Sequence, residues 1–209
     1  MHLYSTTVYF VVLSSVFSCT KGCAPRLCYD LKGSSVSRFV KGDKATLKDE
    51  NLRREGLRTE RVRRDASKVE PLPLRIDAPQ HKELMAQLQA DTQFLAQQLG
   101  VMDYSLLLGV FAPGDAAETP PAGRTPAERL SLLHGGLGQQ PRDLVIGLID
   151  VVQVWNLSKS AEAWAKTLLL CKDKRKISAV PADLYQERFM AFLRDELFSP
   201  CSGDGIRHE

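Results

Sequence analysis

Two short segments of this sequence each place one aspartate beside a dense apolar run, and they constrain the fold more than any other feature. Residues 102–109 read Met-Asp-Tyr-Ser-Leu-Leu-Leu-Gly, and residues 147–150 read Gly-Leu-Ile-Asp. Apolar runs of this length usually form buried strands or buried turns. A carboxylate at the end of such a run is costly unless it meets a cation or has a catalytic task. Asp103 and Asp150 together therefore predict a site that holds a metal ion and an acceptor hydroxyl, which is the arrangement that phosphoryl transfer needs.

A third segment, residues 29–34, reads Tyr-Asp-Leu-Lys-Gly-Ser and puts a carboxylate, an ammonium and a flexible Gly-Ser pair together. Gly33 allows the backbone to approach a phosphate closely, and Lys32 supplies a point charge. Taken alone, this segment is equally well explained as a turn with a solvated ion pair. Taken alone, Asp103 would be a capping residue between a helix and a strand, and Asp150 a strand-end carboxylate paired with Lys32.

The order of the three segments resembles that of the phosphatidylinositol phosphate kinases, whose DLKGS, MDYSLL and IID motifs follow one another in this way. Further blocks resemble the same family in sequence order. Residues 9–12 are similar to its last N-lobe strand and hinge, residues 47–49 to its LKD segment, residues 91–97 to the helix before MDYSLL, and residues 177–189 to its YxxRF segment. The stretches 53–80 and 112–142 match no motif of the family.

The resemblance implies an α+β, kinase-like catalytic core, in which an antiparallel sheet packs with helices. Residues 1–18 would be the end of the N-lobe and the hinge, residues 19–198 the C-lobe with disordered insertions near 53–80 and 112–142, and residues 199–209 a tail. Within this frame the apolar patterns predict strands over residues 4–13, 27–31, 36–40, 105–110 and 144–149. They predict helices over 81–99 and 182–197, where apolar residues recur at spacings of three and four. The residues expected to face the core are Leu84, Leu88, Thr92, Leu95 and Leu99 in the first helix, and Leu184, Phe189, Phe192, Leu193 and Leu197 in the second.

The resemblance also implies roles for the site residues. Asp150 would bind Mg²⁺, and Asp103 would position the inositol hydroxyl or accept its proton. Lys32 would contact oxygens of the transferred phosphate, and Asp30 would orient Lys32. The cofactor would be ATP, whose adenine would lie against the hinge and be read by backbone groups of Val11, Val12 and Leu13.

The segment after residue 150 determines substrate specificity in the family, and here it is basic and contains tryptophan. An amphipathic segment of this kind suits the surface of an anionic bilayer, although a solvated surface helix is the simpler alternative. The partner would be a phosphoinositide, and the protein would be cytoplasmic and peripheral on membranes. Trp155 and Trp164 favour the FYVE-type branch, while other residues fit the 4- and 5-kinase branches. The cations predicted to contact the membrane or substrate are Lys159, Lys166, Lys172, Lys174, Arg175 and Lys176.

Composition excludes several other classes of protein. A net charge of +3 over 209 residues does not indicate a nucleic-acid binder. Five cysteines include Cys19, Cys23 and Cys28, but no fourth ligand at metal spacing follows them, so free thiols are expected rather than a zinc site. The apolar stretch at residues 8–17 is too short to span a membrane, and its β-branched and aromatic residues favour a strand over a signal peptide.

The sequence begins at the predicted hinge, without the glycine-rich loop and the ATP-anchoring lysine of a complete kinase. A fragment, a truncated gene model and a pseudokinase are all compatible with this start. The competing function is a catalytically dead membrane adaptor that binds phosphoinositides, and a weaker one is a secreted protein cleaved near Ala24.

Overall fold

In the computed structural model of the chain, the described residues are 15–17, 23–42, 46–55, 73–112, 114–115, 132–137, 140–154 and 180–201. They contain seven strands, three α-helices and one π-helical turn. In chain order these elements are β1 (Leu27–Leu31), β2 (Leu47–Lys48), α1 (Asp49–Glu55), β3 (Leu74–Asp77), α2 (Ala78–Gln97), β4 (Ser105–Phe111), β5 (Leu132–Leu137), β6 (Gln140–Ile149), α3 (Ala182–Phe192), the π-helical turn (Leu193–Leu197) and β7 (Phe198–Cys201).

The strands form one sheet in the order β2-β1-β4-β6-β5-β3-β7. Its centre is antiparallel, but β1 pairs with β2 in parallel, and β3 pairs with β7 in parallel. The sheet is therefore mixed, and the prediction of an antiparallel sheet is wrong for the outermost pair of strands on each side. The α+β class is as predicted.

Strand β4 lies in the middle of the core because its sequence is apolar almost without interruption. Strands that are buried on both faces read as continuous hydrophobic runs rather than as alternating ones. Leu106 and Leu108 are fully buried, and so is Phe111 at the far end of the strand. The strand pairs along its length with β6 and along five residues with β1.

Helix α2 packs its buried stripe on the core and ends at a glycine. The stripe is Leu84, Leu88, Thr92 and Ala96, spaced by four residues as one face of a helix requires. Gly100 has a φ of +60°, and this left-handed turn lets the N–H groups of Gly100 and the next residue reach carbonyls of the last helical turn. The helix begins three residues before the predicted position, and the predicted core residue Leu99 is 47% exposed.

Helix α3 begins at Ala182 as predicted, but it changes to a π-helical turn at residue 193. Phe189, Phe192 and Leu197 are buried as predicted, whereas Leu184 is 53% exposed. A hydrogen bond from the Gln186 side-chain amide to the Thr92 hydroxyl, 3.2 Å long, connects α3 to α2. The two helices thus form one layer against the sheet.

Several predicted boundaries are wrong. Residues 36–40 form turns and irregular backbone rather than a strand. Residues 74–77 form β3 inside the predicted linker, and residues 132–137 and 140–142 belong to strands inside the predicted insertion. Residues 199–201 belong to β7 rather than to a tail. The strand predicted over residues 4–13 lies outside the described residues.

Candidate active site

The register of the central strands brings the predicted site residues to one edge of the sheet. The last residue of β1 pairs with the second residue of β4, and the first residue of β4 pairs with the last residue of β6. Because β4 runs antiparallel to both neighbours, the segment after β1, the segment before β4 and the segment after β6 lie at the same edge. Lys32, Asp103 and Asp150 occupy these three segments, so the two aspartates are brought to the same edge, as predicted.

Lys32 forms an ion pair with Asp103. Its Nζ atom lies 2.8 Å from Oδ1 of Asp103 and donates a hydrogen bond of 2.6 Å to the carbonyl of the same residue. The side chain of Lys32 is 11% exposed, whereas that of Asp103 is 28% exposed. The alternative pairing of Lys32 with Asp150 is therefore wrong, and the predicted orienting contact from Asp30 is replaced by one from Asp103.

The aspartate predicted to position the hydroxyl and the aspartate predicted to bind the metal both adopt a left-handed backbone. Asp103 has a φ of +61° and Asp150 a φ of +60°, and among the described non-glycine residues Ser37 alone shares this sign. Such a conformation costs about 1–3 kcal/mol for a residue with a Cβ atom, and it persists where the surrounding structure enforces it. Residues of this kind cluster at functional sites, so the two outliers support the predicted assignment independently of the sequence motifs.

Asp150 suits a metal that also binds nucleotide phosphates. It is exposed at the end of β6, and it has no ion-pair partner in the part of the chain that the structure describes. Within that part, no three His, Cys, Asp or Glu side chains cluster as a complete metal cage would require. Mg²⁺ does not need such a cage, since it is usually held by one or two carboxylates, several waters and the substrate phosphates. The exposed carboxylate therefore fits the ion that the sequence implies.

A buried carboxylate, Asp49, organises the backbone around Lys32. Its Oδ1 atom accepts hydrogen bonds from the N–H groups of Lys32 and Gly33 at 2.9 and 2.8 Å. Its Oδ2 atom lies 2.6 Å from Nε of Arg38. Asp49 is fully buried and Arg38 is 6% exposed. The two backbone N–H groups therefore serve the fold, and the prediction that Gly33 opens the backbone to a phosphate is not supported by its contacts.

Arg38 also holds Asp30, the residue predicted to orient Lys32. Its Nη2 atom lies 3.0 Å from Oδ1 of Asp30 and also donates to the carbonyl of that residue. Burial alone would raise the pKa of the Asp30 carboxyl, but hydrogen bonds and the positive charges of Arg38 and Lys32 outweigh burial, so its pKa is lowered. Asp30 thus presents a negatively charged carboxylate that holds Arg38 in place.

Phe192 at the end of α3 and Arg53 of α1 hold Gly33 and Ser34 from the other side. A Cβ atom at Gly33 would lie 2.8 Å from Cβ of Phe192. Arg53 donates a 3.0 Å hydrogen bond to the Ser34 carbonyl, stacks 5.3 Å from the centre of the Phe192 ring, and pairs with Glu196 at 2.8 Å. The junction of α3 and the π-helical turn therefore fixes the loop that carries Lys32.

Sequence reasoning missed Arg38 and the role of Asp49. Asp49 stands in a block that resembles the family, but nothing in a single sequence indicates that it is buried. Arg38 follows the motif by several residues in a loop, where an arginine is usually solvated.

The predicted hinge groups of Val11, Val12 and Leu13 lie outside the described residues. So do the six predicted membrane-contacting cations, Lys159, Lys166, Lys172, Lys174, Arg175 and Lys176.

A family model described as Phosphatidylinositol-4-phosphate 5-Kinase matches residues 1–136 and 135–196. The chain belongs to the phosphatidylinositol phosphate kinase family. The match includes all four residues predicted to carry the chemistry, Asp30, Lys32, Asp103 and Asp150. It also includes Arg38 and Asp49, whose burial and pairing are seen only in the structure.

Curated relatives from several organisms are named as kinases of the same family. A probable phosphatidylinositol phosphate kinase of Dictyostelium discoideum is 25% identical over 89% of this chain and 32% of its own length. Phosphatidylinositol 4-phosphate 5-kinase 7 of Arabidopsis thaliana is 34% identical over 64% of this chain and 16% of its own length. Phosphatidylinositol 5-phosphate 4-kinase type-2 beta of Rattus norvegicus is 35% identical over 49% of this chain and 21% of its own length. The chain spans a third or less of each of these relatives, and the names of the Arabidopsis and rat proteins specify different ring positions.

Proposed function

We propose that this chain is part of a phosphatidylinositol phosphate kinase that transfers the γ-phosphate of ATP to an inositol-ring hydroxyl of a phosphoinositide. The observation that best supports the proposal is that the Lys32–Asp103 ion pair and the exposed Asp150 lie at the same sheet edge. Family membership makes lipid phosphorylation the chemistry to expect. The left-handed backbone of Asp103 and Asp150 also supports the proposal, because backbone strain of this kind clusters at functional sites.

Asp103 is the residue proposed to receive the acceptor hydroxyl. An ionised carboxylate can only accept hydrogen bonds, and a carboxylate that is partly exposed beside a buried lysine remains reachable by substrate. Held by Lys32, it would orient the hydroxyl and take its proton as the new P–O bond forms. This role requires a fixed position, which the ion pair and the strained turn supply.

Lys32 is proposed to contact the transferred phosphate. An ammonium carries three donors, and the Asp103 carboxylate and carbonyl take two of them. The remaining donor can bind a phosphate oxygen next to the residue that holds the acceptor. One lysine would thereby position both reacting groups, while Asp49 and Arg38 keep its backbone in place.

Asp150 is proposed to hold Mg²⁺ together with the phosphates of ATP. The ion, when bound, would offset the charge of those phosphates. The residue contributes a carboxylate at a fixed strand end, and its exposure leaves room for waters and nucleotide in the remaining coordination positions. The backbone near Val11, Val12 and Leu13 is proposed to bind adenine.

The proposed location is the cytoplasmic surface of an anionic membrane. The structure contains, among the described residues, no helix with the length and apolar character needed to cross a bilayer. The cations after residue 158, beginning with Lys159 and Lys166, are proposed to contact anionic lipid, where each contributes about 1 kcal/mol. Such binding should weaken as salt is added.

The test is transfer of labelled phosphate from Mg·ATP to liposomes that carry each of the three phosphatidylinositol monophosphates. The wild-type chain would be compared with Asp103→Asn, Asp150→Asn and, as a matched control, Asp183→Asn, which changes an exposed aspartate at the start of α3. We expect the first two variants to lose about a hundredfold or more in rate, and the control to lose almost nothing. The preferred lipid would identify the branch.

Co-sedimentation with the same liposomes separates the alternatives. Wild-type rates in either Asp103→Asn or Asp150→Asn would refute the assignment of that residue. If the chain binds liposomes in a salt-dependent way but transfers no phosphate, it is a non-catalytic phosphoinositide-binding protein. If it neither binds nor transfers, the proposal fails for this chain.

A further inference from the structure

The turn that carries Asp103 is held by three hydrogen bonds from three separate parts of the chain. Each of residues 102, 103 and 104 has one backbone group engaged in this way. The bonds join the Met102 N–H to the Gln153 carbonyl (2.9 Å), the Lys32 ammonium to the Asp103 carbonyl (2.6 Å) and the Tyr185 hydroxyl to the Tyr104 carbonyl. Three of the four peptide planes between residues 101 and 105 are therefore fixed from outside the turn.

The third of these bonds comes from the core rather than from the sheet edge. Tyr185 lies on α3 and is fully buried. Its ring meets that of Tyr104 edge to face, with centroids 4.8 Å apart, and stacks on Phe189 at 6.2 Å. The guanidinium of Arg188 lies 4.9 Å from the centre of the same ring. The ring has little freedom, so its hydroxyl is held against one acceptor.

Burial also keeps this hydroxyl a donor. Removal from water raises the pKa of the Tyr185 phenol far above physiological pH, and the negative charge of Asp103 acts in the same direction. The phenol therefore remains protonated. A neutral O–H group that has lost its contacts with water gains most from a fixed carbonyl partner.

We propose that Tyr185 is a positioning residue for Asp103, which acts through the carbonyl of Tyr104 and touches no substrate itself. A left-handed aspartate relaxes toward an ordinary conformation unless its neighbouring peptide planes are prevented from rotating. The Lys32 ammonium fixes the plane that follows Asp103, and the Tyr185 hydroxyl fixes the next plane, which follows Tyr104. With that second plane fixed, Tyr104 cannot rotate to let Asp103 relax, and the Asp103 carboxylate stays beside Lys32. The expected effect of Tyr185 on catalysis rests on the proposed function, whereas its expected effect on the position of Asp103 does not.

The chain offers a matched control within the same aromatic cluster. Tyr104 is as deeply buried as Tyr185, and its hydroxyl faces Thr92 on α2 rather than the Asp103 turn. Tyr104→Phe and Tyr185→Phe each remove one buried phenolic oxygen and keep the ring. Only the second variant removes a hydrogen bond from the turn.

The experiment measures backbone hydrogen exchange of residues 101–105 in the wild-type chain and in both variants. In Tyr185→Phe we expect these amides to exchange about tenfold faster relative to those of α2, which is the effect of one lost hydrogen bond. In Tyr104→Phe their exchange relative to α2 should match the wild type. In the lipid kinase assay, kcat should fall about tenfold in Tyr185→Phe, while KM for ATP changes less than twofold.

Equal exchange in the two variants, or wild-type exchange in Tyr185→Phe, would overturn the proposal. If the wild-type chain transfers no phosphate, the proposed function fails for this chain, and hydrogen exchange still decides the positioning role. If Tyr185→Phe does not fold, NMR of the wild type decides it. A slowly exchanging Tyr185 hydroxyl proton close to the Ser105 amide is then expected, and rapid exchange of that proton with water would refute the hydrogen bond.

Discussion

Gly33 offers the sharpest test of how the loop that carries Lys32 is held. Its φ of +64° is one that residues with a side chain rarely adopt. A Cβ atom at this position would lie 2.8 Å from Cβ of Phe192 and 3.2 Å from its Cγ. Neither atom lies at the flexible end of a side chain, so α3 itself would have to move.

Gly33→Ala should therefore be destabilising for two separate reasons. The left-handed conformation costs about 1–2 kcal/mol for a residue with a Cβ atom. Forcing a methyl group into a packed contact costs about 1–3 kcal/mol more. We expect a total loss of about 2–5 kcal/mol in the free energy of unfolding, which is a large part of the stability of an ordinary domain.

Gly42→Ala is the control that separates the two costs. Gly42 has a φ of +81°, but nothing lies within 4 Å of a Cβ atom built there. Its replacement should cost only the conformational part. In urea unfolding followed by circular dichroism, the midpoint of Gly33→Ala should lie about 1 M below that of Gly42→Ala. Equal midpoints would show that the contact between Gly33 and Phe192 does not constrain the loop.

Two further predictions concern the buried charges. Asp49→Asn removes one of the two carboxylates that pair with the buried Arg38 guanidinium, while Asp30 still pairs with it, and should lower the free energy of unfolding by about 1.5–3 kcal/mol in urea; Asp77→Asn, at an exposed aspartate, should change it by less than about 0.5 kcal/mol. A loss as small as that of the control would mean that Asp30 alone compensates the charge of Arg38. Because the folded-state pKa of Asp30 is lowered, its stabilisation is fully present above the unfolded-state pKa of about 3.9 and is lost as pH falls through the folded-state pKa. The difference in unfolding free energy between wild type and Asp30→Asn should accordingly shrink in acid, and a difference that grew below pH 4 would contradict this sign.

The strands and the helix that were predicted correctly are those whose residue pattern lies within the element itself. Strands β1 and β4 and the end of β6 are dense apolar runs, and α2 has an apolar stripe followed by a glycine. The placement of Asp103 and Asp150 at one edge follows from these runs, because two antiparallel neighbours joined in register bring their opposite ends together. The local pattern, together with the order of the motifs that resemble the family, therefore located the two aspartates that the proposed chemistry needs.

The remaining elements depend on partners that are distant in sequence. Strand β3 has four residues and pairs with β7, more than a hundred residues later, so its local pattern is too short to identify it. Strand β5 and the start of β6 are rich in glycine and polar residues, and they were predicted to be disordered. Long-range strand pairing overrides such local preferences.

The burial of Asp49 and Arg38 was not predictable for a related reason. Charged residues are almost never fully buried unless they are paired, so a single sequence favours exposure for each. What buries them is the parallel pairing of β2 with β1, which places Asp49 beside the residue that follows β1. The sequence contains both charges, but their pairing depends on the tertiary fold.

The concentration of costly features at one sheet edge is itself an argument for function there. Aspartate tolerates a left-handed backbone better than most residues, so one positive φ value would carry little weight. Here two such aspartates, a buried lysine that pairs with one of them, and a buried arginine–carboxylate pair lie around the same edge. A sheet edge that served stability alone could use asparagine or glycine at the left-handed positions and apolar residues at the buried ones, often with no loss of stability. Departures from local rules are expected where a site is in use, and the proposed kinase chemistry gives Asp103 and Asp150 each a role at this edge.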